Sequence, residues 1–195
     1  MGGLSPGLEH LFGYASLVLD EGDHGTVARL PGYRRVWGVA TDNLRAIPGY
    51  KLYLSRSDGS RPAVHVAFID IDPHPSSVVN GVVTPVSRTE LEVLDLRERN
   101  YDRVDVSGQI EAEFPGRVWT YRGSAEGRER LRRGRAEGRA VVSRDYLEKV
   151  RAGFAALGPD HERAFAESSS LDDLPVADLE RLDLPPDPPP AREPL

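Results

Sequence analysis

Alternating and β-branched apolar residues dominate the first two thirds of the chain, and this pattern predicts strands. Each segment concerned is rich in Val, Ile, Tyr or Trp and is bounded by Gly, Pro, Asn or Asp. About six or seven short strands with few helices between them are typical of a mainly antiparallel sheet or a small barrel. The segments are TVARLPGYRRVWGVA, YKLYLS, PAVHVAFIDID, VVNGVVTPV, VDVSGQIEAEF and RVWTYRG.

One helix is predicted among these strands, and it begins at Ser87. Ser87 is a favourable N-cap residue, and Glu90 completes a capping box with it. Leu91 and Leu94 then define an apolar face by their spacing. Glu98 follows Leu94 by one helical turn, so it lies on the same face near the helix end. The pattern places a carboxylate where a leucine would be expected.

Two further helices are predicted between Ser143 and about Ser168. A helix begins at Ser143, carries apolar residues at helical spacing as far as Leu157 and stops at the Gly-Pro pair 158–159. A shorter helix follows from Asp160 to about Ser168.

A charged segment, SAEGRERLRRGRAEGR, precedes these helices and is interrupted by glycines. We interpret it as a loop or a short solvated helix. Glu126 with Arg130, and Glu129 with Arg133, have the spacing of helical ion pairs.

We expect a single domain over residues 1–170, including the C-terminal helices. Residues 171–195 form an acidic, proline-rich tail that is expected to be disordered from about residue 184.

Composition narrows the classes of partner. The net charge of −6 argues against a nucleic-acid partner, which usually meets a basic face. The chain has no cysteine, so it has neither disulfides nor a thiolate metal site. It also lacks a signal-peptide pattern and any apolar run long enough to span a membrane. We expect a cytoplasmic protein that binds small molecules and no membrane; the sequence leaves its oligomeric state open.

The stretch LFGYASLVLD, residues 11–20, is unusual for a buried strand. Gly13, Ala15 and Ser16 thin the packing where large side chains are expected. Small residues allow a ligand to approach main-chain N–H groups. The alternative is that these residues only face a crowded layer of the core.

Glu98 is the leading candidate for chemistry. A carboxyl group on the apolar side of a helix, over a pocket, keeps its proton to a higher pH than one in water, because burial penalises the charged form. Such a group can take up and return a proton at neutral pH. The alternative is that Glu98 pairs with Arg97 or Arg99 at the surface, and spacing alone leaves both interpretations open.

Three stretches resemble the γ-glutamylcyclotransferase-like superfamily, which includes ChaC-like and γ-glutamylamine cyclotransferase-like proteins. LFGYASLVLD resembles that family's F-G-Y-G-S-L segment, and PGYRRVWGVATDN resembles the G-Y-R-R stretch that follows it. GVVTPVSRTELEVLDLRERNYDRVDV is similar to the family's strand, helix and acidic turn. The stretches lie in the family's order and cover roughly residues 11–106.

The resemblance implies an α+β fold, a small mixed and mainly antiparallel β-barrel with flanking helices. It implies a reaction without metal or cofactor, in which the α-amine of a γ-glutamyl group attacks its own γ-carbonyl. The products would be 5-oxoproline and a free amine, amino acid or peptide, so the partner is a small γ-glutamyl compound, glutathione being one of several.

The resemblance also implies roles for particular residues. Glu98 matches the family's catalytic glutamate and would be the general acid and base. The backbone of Tyr14, Ala15, Ser16 and Leu17 would bind the glutamyl carboxylate or the oxygen that gathers charge.

Further residues have a predicted role and an alternative. Tyr101 would line the pocket, or would simply be an aromatic residue at a strand start. Arg34 would meet a substrate carboxylate, although alternation directs only one of Arg34 and Arg35 inward. Ala15 replaces the family's glycine, so we expect backbone strain or a tighter cradle there. This substitution favours the alternative function, a non-catalytic module that binds a small molecule.

A metal site and a serine nucleophile are set aside. Asp70, Asp72 and His74 share one side of an extended chain, but such clusters more often end a strand than bind a metal. Ser16 lacks the glycine two residues later that a hydrolase elbow requires.

Overall fold

The computed structural model describes residues 9–20 and 25–185, which form a mixed sheet with flanking helices. The strands are β1 (Glu9–Gly13), β2 (Thr26–Asp42), β3 (Lys51–Ser55), β4 (His65–Val86), β5 (Tyr101–Asp105), β6 (Arg117–Gly123), β7 (Ala140–Ser143), β8 (Ser169–Ser170), β9 (Val176–Ala177) and β10 (Leu179–Asp183). The helices are α1 (Leu17–Asp20), α2 (Arg88–Arg97), α3 (Ala125–Ala136), α4 (Arg144–Ala156) and α5 (Pro159–Glu167).

The centre of the sheet is the antiparallel pair of the long strands β2 and β4. The register between them shifts at Pro31/Tyr33 and at Trp37/Val39, which marks bulges or irregularities in the ladder. β4 joins two segments that the sequence predicts as separate strands. The predicted strand VDVSGQIEAEF is wrong beyond Asp105, because the chain turns there instead of continuing the ladder.

The predicted α+β fold with a mixed, mainly antiparallel sheet and flanking helices is confirmed, although the sheet does not close into the expected small barrel. The sheet follows the order β5-β6-β1-β4-β2-β8, with β7 also paired to β4. β8 is only Ser169–Ser170, paired in parallel with β2, and within the described residues it does not pair with β5 at the other end. The sheet therefore stays open within the described residues.

Helix α2 forms as its sequence predicts. The Ser87 side chain accepts a hydrogen bond from the Glu90 N–H, and the Glu90 carboxylate accepts one from the Ser87 N–H. Leu91 is the buried residue of this helix. The backbone N–H of Glu98 donates to the Leu94 carbonyl at 2.8 Å, so Glu98 is the C-cap residue.

The predicted C-terminal helices are present as α4 and α5, which meet at Gly158. The charged segment is a helix, α3, that buries Leu131 against the sheet. Its Glu126–Arg130 ion pair is present, whereas Glu129 pairs with Arg132 instead of the predicted Arg133. Within residues 9–20 and 25–185, no helix has the length and apolar character needed to cross a bilayer.

Helices α3 and α4 cover the sheet so that both faces of β4 are buried near its start. By alternation along β4, Val66, Phe68 and Asp70 share one face and His65 lies on the other, yet all four are buried. Asp70 accepts hydrogen bonds from the backbone N–H groups of Ile71 and Gly123 and pairs with Arg128 of α3. This buried carboxylate therefore fastens α3 to the sheet.

The chain after α5 returns to the domain through β10. Asp183 pairs with Lys51 and Leu182 with Leu52 in an antiparallel ladder with β3. Beyond it, the Leu184 N–H donates to the Tyr50 carbonyl at 2.6 Å. The predicted tail is thus ordered as far as Pro185, and its remaining residues lie outside the described ones.

Replacing Gly81 by Ala is expected to destabilise the fold. A Cβ atom there would meet the Gly13 carbonyl oxygen and would approach the Phe12 ring to 2.7 Å. Overpacking of a rigid core costs about 1–3 kcal/mol. Denaturant unfolding of Gly81→Ala should show this loss, whereas Gly108→Ala should unfold like the wild type, because nothing lies within 4 Å of its Cβ position. Equal stability of the two variants would contradict the close packing of β1 on β4.

Candidate active site

A cavity of about 670 Å³ opens between the C-terminal end of α2, the start of α4 and the β3–β10 ladder. Its volume is in the range of small-molecule sites, about 300–1,000 Å³. Aromatic side chains supply its apolar surface, and charged side chains surround them. The lining residues are Ser16, Gly49, Tyr50, Lys51, Tyr53, Phe68, Val93, Leu96, Arg97, Glu98, Arg99, Tyr101, Ser143, Asp145, Tyr146, Lys149, Arg181 and Asp183.

The segment between β1 and α1 reaches the cavity at Ser16. Its chain turns sharply, because the Val18 N–H donates to the Ala15 carbonyl at 3.1 Å. Within the described part of the chain, the N–H groups of Ala15, Ser16 and Leu17 donate to no other protein group. The turn therefore leaves a short strip of main-chain donors unused.

Ala15 introduces no left-handed backbone. Every described residue with a positive φ is a glycine, and Ala15 packs partly buried against the core. The strain expected from an alanine at this position is therefore absent.

Arg35 fixes this turn from within the core. Its guanidinium is fully buried, and its Nε donates to the Tyr14 carbonyl at 2.7 Å. Nη1 donates to the Ser168 hydroxyl at 2.6 Å, and Nη2 donates to the carbonyl and side-chain oxygens of Asn80. One side chain thus ties the β1–α1 turn to β4 and to the end of α5.

Two phenylalanines complete the surroundings of Arg35. Its Cζ lies 4.8 Å from the ring centroids of both Phe154 and Phe165. Burial lowers the pKa of Arg35 to about 9, and the electrostatic effect of Tyr14 opposes that shift. Arg35 therefore stays charged at neutral pH.

Tyr14 points into the core rather than into the cavity. Its hydroxyl donates to the Tyr121 carbonyl at 2.7 Å, and its ring is buried. Tyr14 therefore holds the turn through its carbonyl and its side chain.

Glu98 lines the same cavity from the C-terminal end of α2. Its side chain is 19% exposed, and its carboxylate accepts a hydrogen bond from Arg97 Nε at 3.1 Å. The structure thus shows a feature of each interpretation of Glu98. Its carboxylate pairs with a neighbouring arginine, and it also lines the cavity.

Tyr101 and Tyr146 form the floor between these groups. The Tyr101 hydroxyl donates to the Ile69 carbonyl at 2.7 Å, and the Tyr146 hydroxyl accepts from the Ile69 N–H at 3.2 Å. Burial raises the pKa of Tyr101 well above its usual value. Both rings therefore present neutral surfaces to the cavity, and Tyr146 packs edge-on against Phe68.

Lys51 contributes a cation to the same cavity from β3. Its Nζ lies 4.1 Å from the centroid of the Phe68 ring and 5.2 Å from that of Tyr50. Burial lowers the pKa of Lys51 to about 8, although the negative charge of Glu98 acts in the opposite direction. An ammonium with weakened hydration therefore faces the cavity.

The structure brings together most residues that the sequence predicts for the site. Ser16, Glu98 and Tyr101 line one cavity, and Ala15 and Leu17 flank Ser16 in the turn. Arg34 does not line the cavity, because β2 directs Arg35 inward and leaves its neighbour partly exposed.

Sequence reasoning missed Lys51, Tyr146 and Arg181, which come from three separate elements. The scarcity of lysine in the composition could have drawn attention to Lys51. The chain has only two lysines, and both of them, Lys51 and Lys149, line this cavity.

The cluster Asp70, Asp72 and His74 does not form a metal site. Both aspartates form ion pairs with the same side chain, Arg128 of α3. Within the two described ranges, no His, Cys, Asp or Glu side chains cluster in threes or more around a possible metal position.

Much of the cavity lining lies in a region that matches a known protein family. The family described as "Gamma-glutamyl cyclotransferase, AIG2-like" matches residues 11–148, which include the turn, α2 and the start of α4. The chain belongs to this family. No curated protein gives a significant match.

Solved structures resemble this chain at low sequence identity. YkqA from Bacillus subtilis is 14% identical with a TM-score of 0.55; the alignment covers 87% of this chain and 56% of YkqA. A "Gamma-glutamyl cyclotransferase" is 16% identical with a TM-score of 0.48, over 85% of this chain and 90% of that one. A glutathione-specific γ-glutamyl cyclotransferase from yeast is 12% identical with a TM-score of 0.48, over 84% and 97%.

Lys51→Met is expected to stabilise the fold below about pH 8. The folded-state pKa of Lys51, about 8, lies below the value of about 10.4 in the unfolded chain. The charge therefore opposes folding fully below pH 8, and this opposition fades as the pH rises toward the unfolded value, because only the unfolded state then binds the proton.

Thermal unfolding from pH 6 to pH 10 measures this effect. The melting temperature of Lys51→Met should exceed that of the wild type at pH 6, and the difference should shrink by pH 10. Exposed Arg163→Met is the control and should show no such trend. A wild type that is more stable than Lys51→Met at pH 6 would contradict the burial of this ammonium.

Proposed function

We propose that this chain is a γ-glutamyl cyclotransferase that releases 5-oxoproline from a small γ-glutamyl compound. The α-nitrogen of the glutamyl group forms a bond to its own γ-carbonyl carbon, and the bond from that carbon to the leaving nitrogen breaks. The α-ammonium loses two protons, and the leaving amine gains two. The reaction therefore consumes no water and needs no oxidant.

Glu98 is the proton carrier in this proposal. An ammonium must lose a proton before its nitrogen can attack, and the leaving nitrogen must gain one before it departs. A single carboxylate that faces both nitrogens can serve both steps in turn. The Glu98 carboxylate lines the cavity at the C-terminal end of α2, where it can reach a bound substrate. Arg97 orients this carboxylate through the 3.1 Å hydrogen bond from its Nε.

The turn at Ala15, Ser16 and Leu17 supplies main-chain donors for the substrate. These unused N–H groups bind either the glutamyl carboxylate or the carbonyl oxygen that becomes negative in the tetrahedral intermediate. Tyr101 and Tyr146 then hold the folded glutamyl chain against the cavity floor. Such positioning brings the α-nitrogen close to the γ-carbon and lowers the barrier.

The observation that carries the proposal is the shared cavity of Ser16 and Glu98. More than eighty residues separate them in the chain, yet both line the same hollow. The family match over residues 11–148 supports the same reaction.

A non-catalytic binding module on the same fold is the second candidate. The Arg97–Glu98 ion pair favours it, because this contact engages the carboxylate that a proton carrier would present to the substrate. In this alternative the cavity captures a small γ-glutamyl or amino-acid-like ligand without turnover. In both candidates the partner is a small molecule, with no role for nucleic acid or membrane.

Glu98→Gln is expected to abolish most turnover while keeping the fold. Loss of a general acid and base typically lowers rates about 10²- to 10⁴-fold. The assay measures 5-oxoproline released from a panel of γ-glutamyl amino acids, peptides and amines. Glu92→Gln is the matched control, because Glu92 is an exposed acid on the same helix, outside the cavity.

Undiminished turnover in Glu98→Gln would exclude its assigned role. If the wild type binds members of the panel in thermal-shift measurements but converts none, the binding module is the correct function.

A further inference from the structure

The charge of the cavity is the starting point. Nearly all basic residues of this chain are arginines, and its two lysines both line the cavity. Although the protein has a net charge of −6, cations outnumber carboxylates among the described residues that line its cavity. The cations are Lys51, Arg97, Arg99, Lys149 and Arg181, and the carboxylates are Glu98, Asp145 and Asp183.

Among the residues that the structure describes, each carboxylate that lines the cavity already has an arginine partner. Glu98 pairs with Arg97 at 3.1 Å. Asp183 accepts two hydrogen bonds from Arg181, at 2.6 and 2.8 Å. Asp145, in the first turn of α4, pairs at 2.6 Å with Arg56, which lies outside the cavity.

Lys51 is therefore left with aromatic neighbours. Asp183 is its partner in the β3–β10 register, but Arg181 holds that carboxylate. Within the described ranges, no carboxylate forms an ion pair with Lys51. The Phe68 and Tyr50 rings beside its Nζ attract the cation more weakly than a desolvated carboxylate would.

The cavity thus offers at least two different positions for an anion. One is the strip of main-chain N–H groups beside Ser16, and the other is the ammonium of Lys51 on the β3–β10 wall. A γ-glutamyl group carries a single α-carboxylate, which occupies one of them. A cavity of about 670 Å³ also holds more than a glutamyl group.

We propose that Lys51 binds a carboxylate of the leaving group, so that this chain prefers γ-glutamyl amino acids over γ-glutamyl amines that lack an acidic group. This inference rests on the proposed cyclotransferase reaction and deepens it. The glutamyl α-carboxylate then binds at the turn beside Ser16, and the scissile amide lies between the two anion positions, next to Glu98.

The β10 strand fits such a role in specificity. The family match ends at residue 148, whereas β10 begins at Leu179. Through Arg181, this later segment neutralises Asp183, which would otherwise compete for Lys51. The wall that meets the leaving group is therefore partly built outside the region shared with the family.

Two substrates that differ only in the carboxylate test the proposal. L-γ-glutamyl-L-alanine and L-γ-glutamylethylamide have the same skeleton, except that a carboxylate of the first is a hydrogen in the second. Release of 5-oxoproline gives kcat and KM for each with wild-type protein, Lys51→Met and Lys51→Arg. Arg163→Met, a change of an exposed cation on α5, is the control for loss of charge alone.

The wild type should favour the alanine compound at least tenfold in kcat/KM. Lys51→Met should remove this preference by raising KM for the alanine compound alone, and Lys51→Arg should restore most of it. An equal loss for both substrates in Lys51→Met would overturn the proposal, because Lys51 would then bind the glutamyl carboxylate. Equal use of both substrates by the wild type would also overturn it.

Calorimetry separates this inference from the proposed reaction. If the wild type forms no 5-oxoproline, the proposed reaction is excluded. The binding measurements then decide by themselves whether Lys51 is a carboxylate site. Tenfold tighter binding of the alanine compound, lost in Lys51→Met, would still support a carboxylate site at Lys51. Equal binding of the two compounds, or no binding, would contradict it.

Discussion

The buried guanidinium of Arg35 is the constraint on which the site depends. No carboxylate within the described residues pairs with it, so carbonyl and hydroxyl oxygens must satisfy its donors. Removing a charge from water is costly unless every donor is bound. The acceptors on Tyr14, Asn80 and Ser168 are therefore held in fixed positions. Since the first of them belongs to the β1–α1 turn, the core sets where the unused amides of that turn face.

The position of Glu98 in the site could be predicted from neighbouring residues in the sequence. The capping box of Ser87 and Glu90 fixes where α2 begins, and the spacing of Leu91 and Leu94 fixes which face is apolar. The position of Glu98 follows from these contacts, because they all lie within about three helical turns. The turn at residues 13–17 was also visible in the sequence, since small residues interrupt a buried strand.

The positions of Arg35 and Lys51 could not be predicted in this way, because they depend on contacts between distant parts of the chain. Alternation along β2 requires one inward arginine, but the irregularity between Pro31 and Tyr33 helps to determine that it is Arg35 rather than Arg34. Lys51 joins the cavity because β10 returns to pair with β3 from more than a hundred residues away. Whether the sheet closes likewise depends on the edge strands β5 and β8, whose own sequences carry no sign of it.

The most direct test is an NMR titration of ¹⁵N-labelled Glu98→Gln protein with L-γ-glutamyl-L-alanine. We expect the backbone amide signals of Ala15, Ser16 and Leu17 and the side-chain amide introduced at position 98 to shift together, at the same ligand concentration. Shifts confined to α4 and α5, with the signals of residues 15–17 unchanged, would contradict a binding site shared by the turn and residue 98.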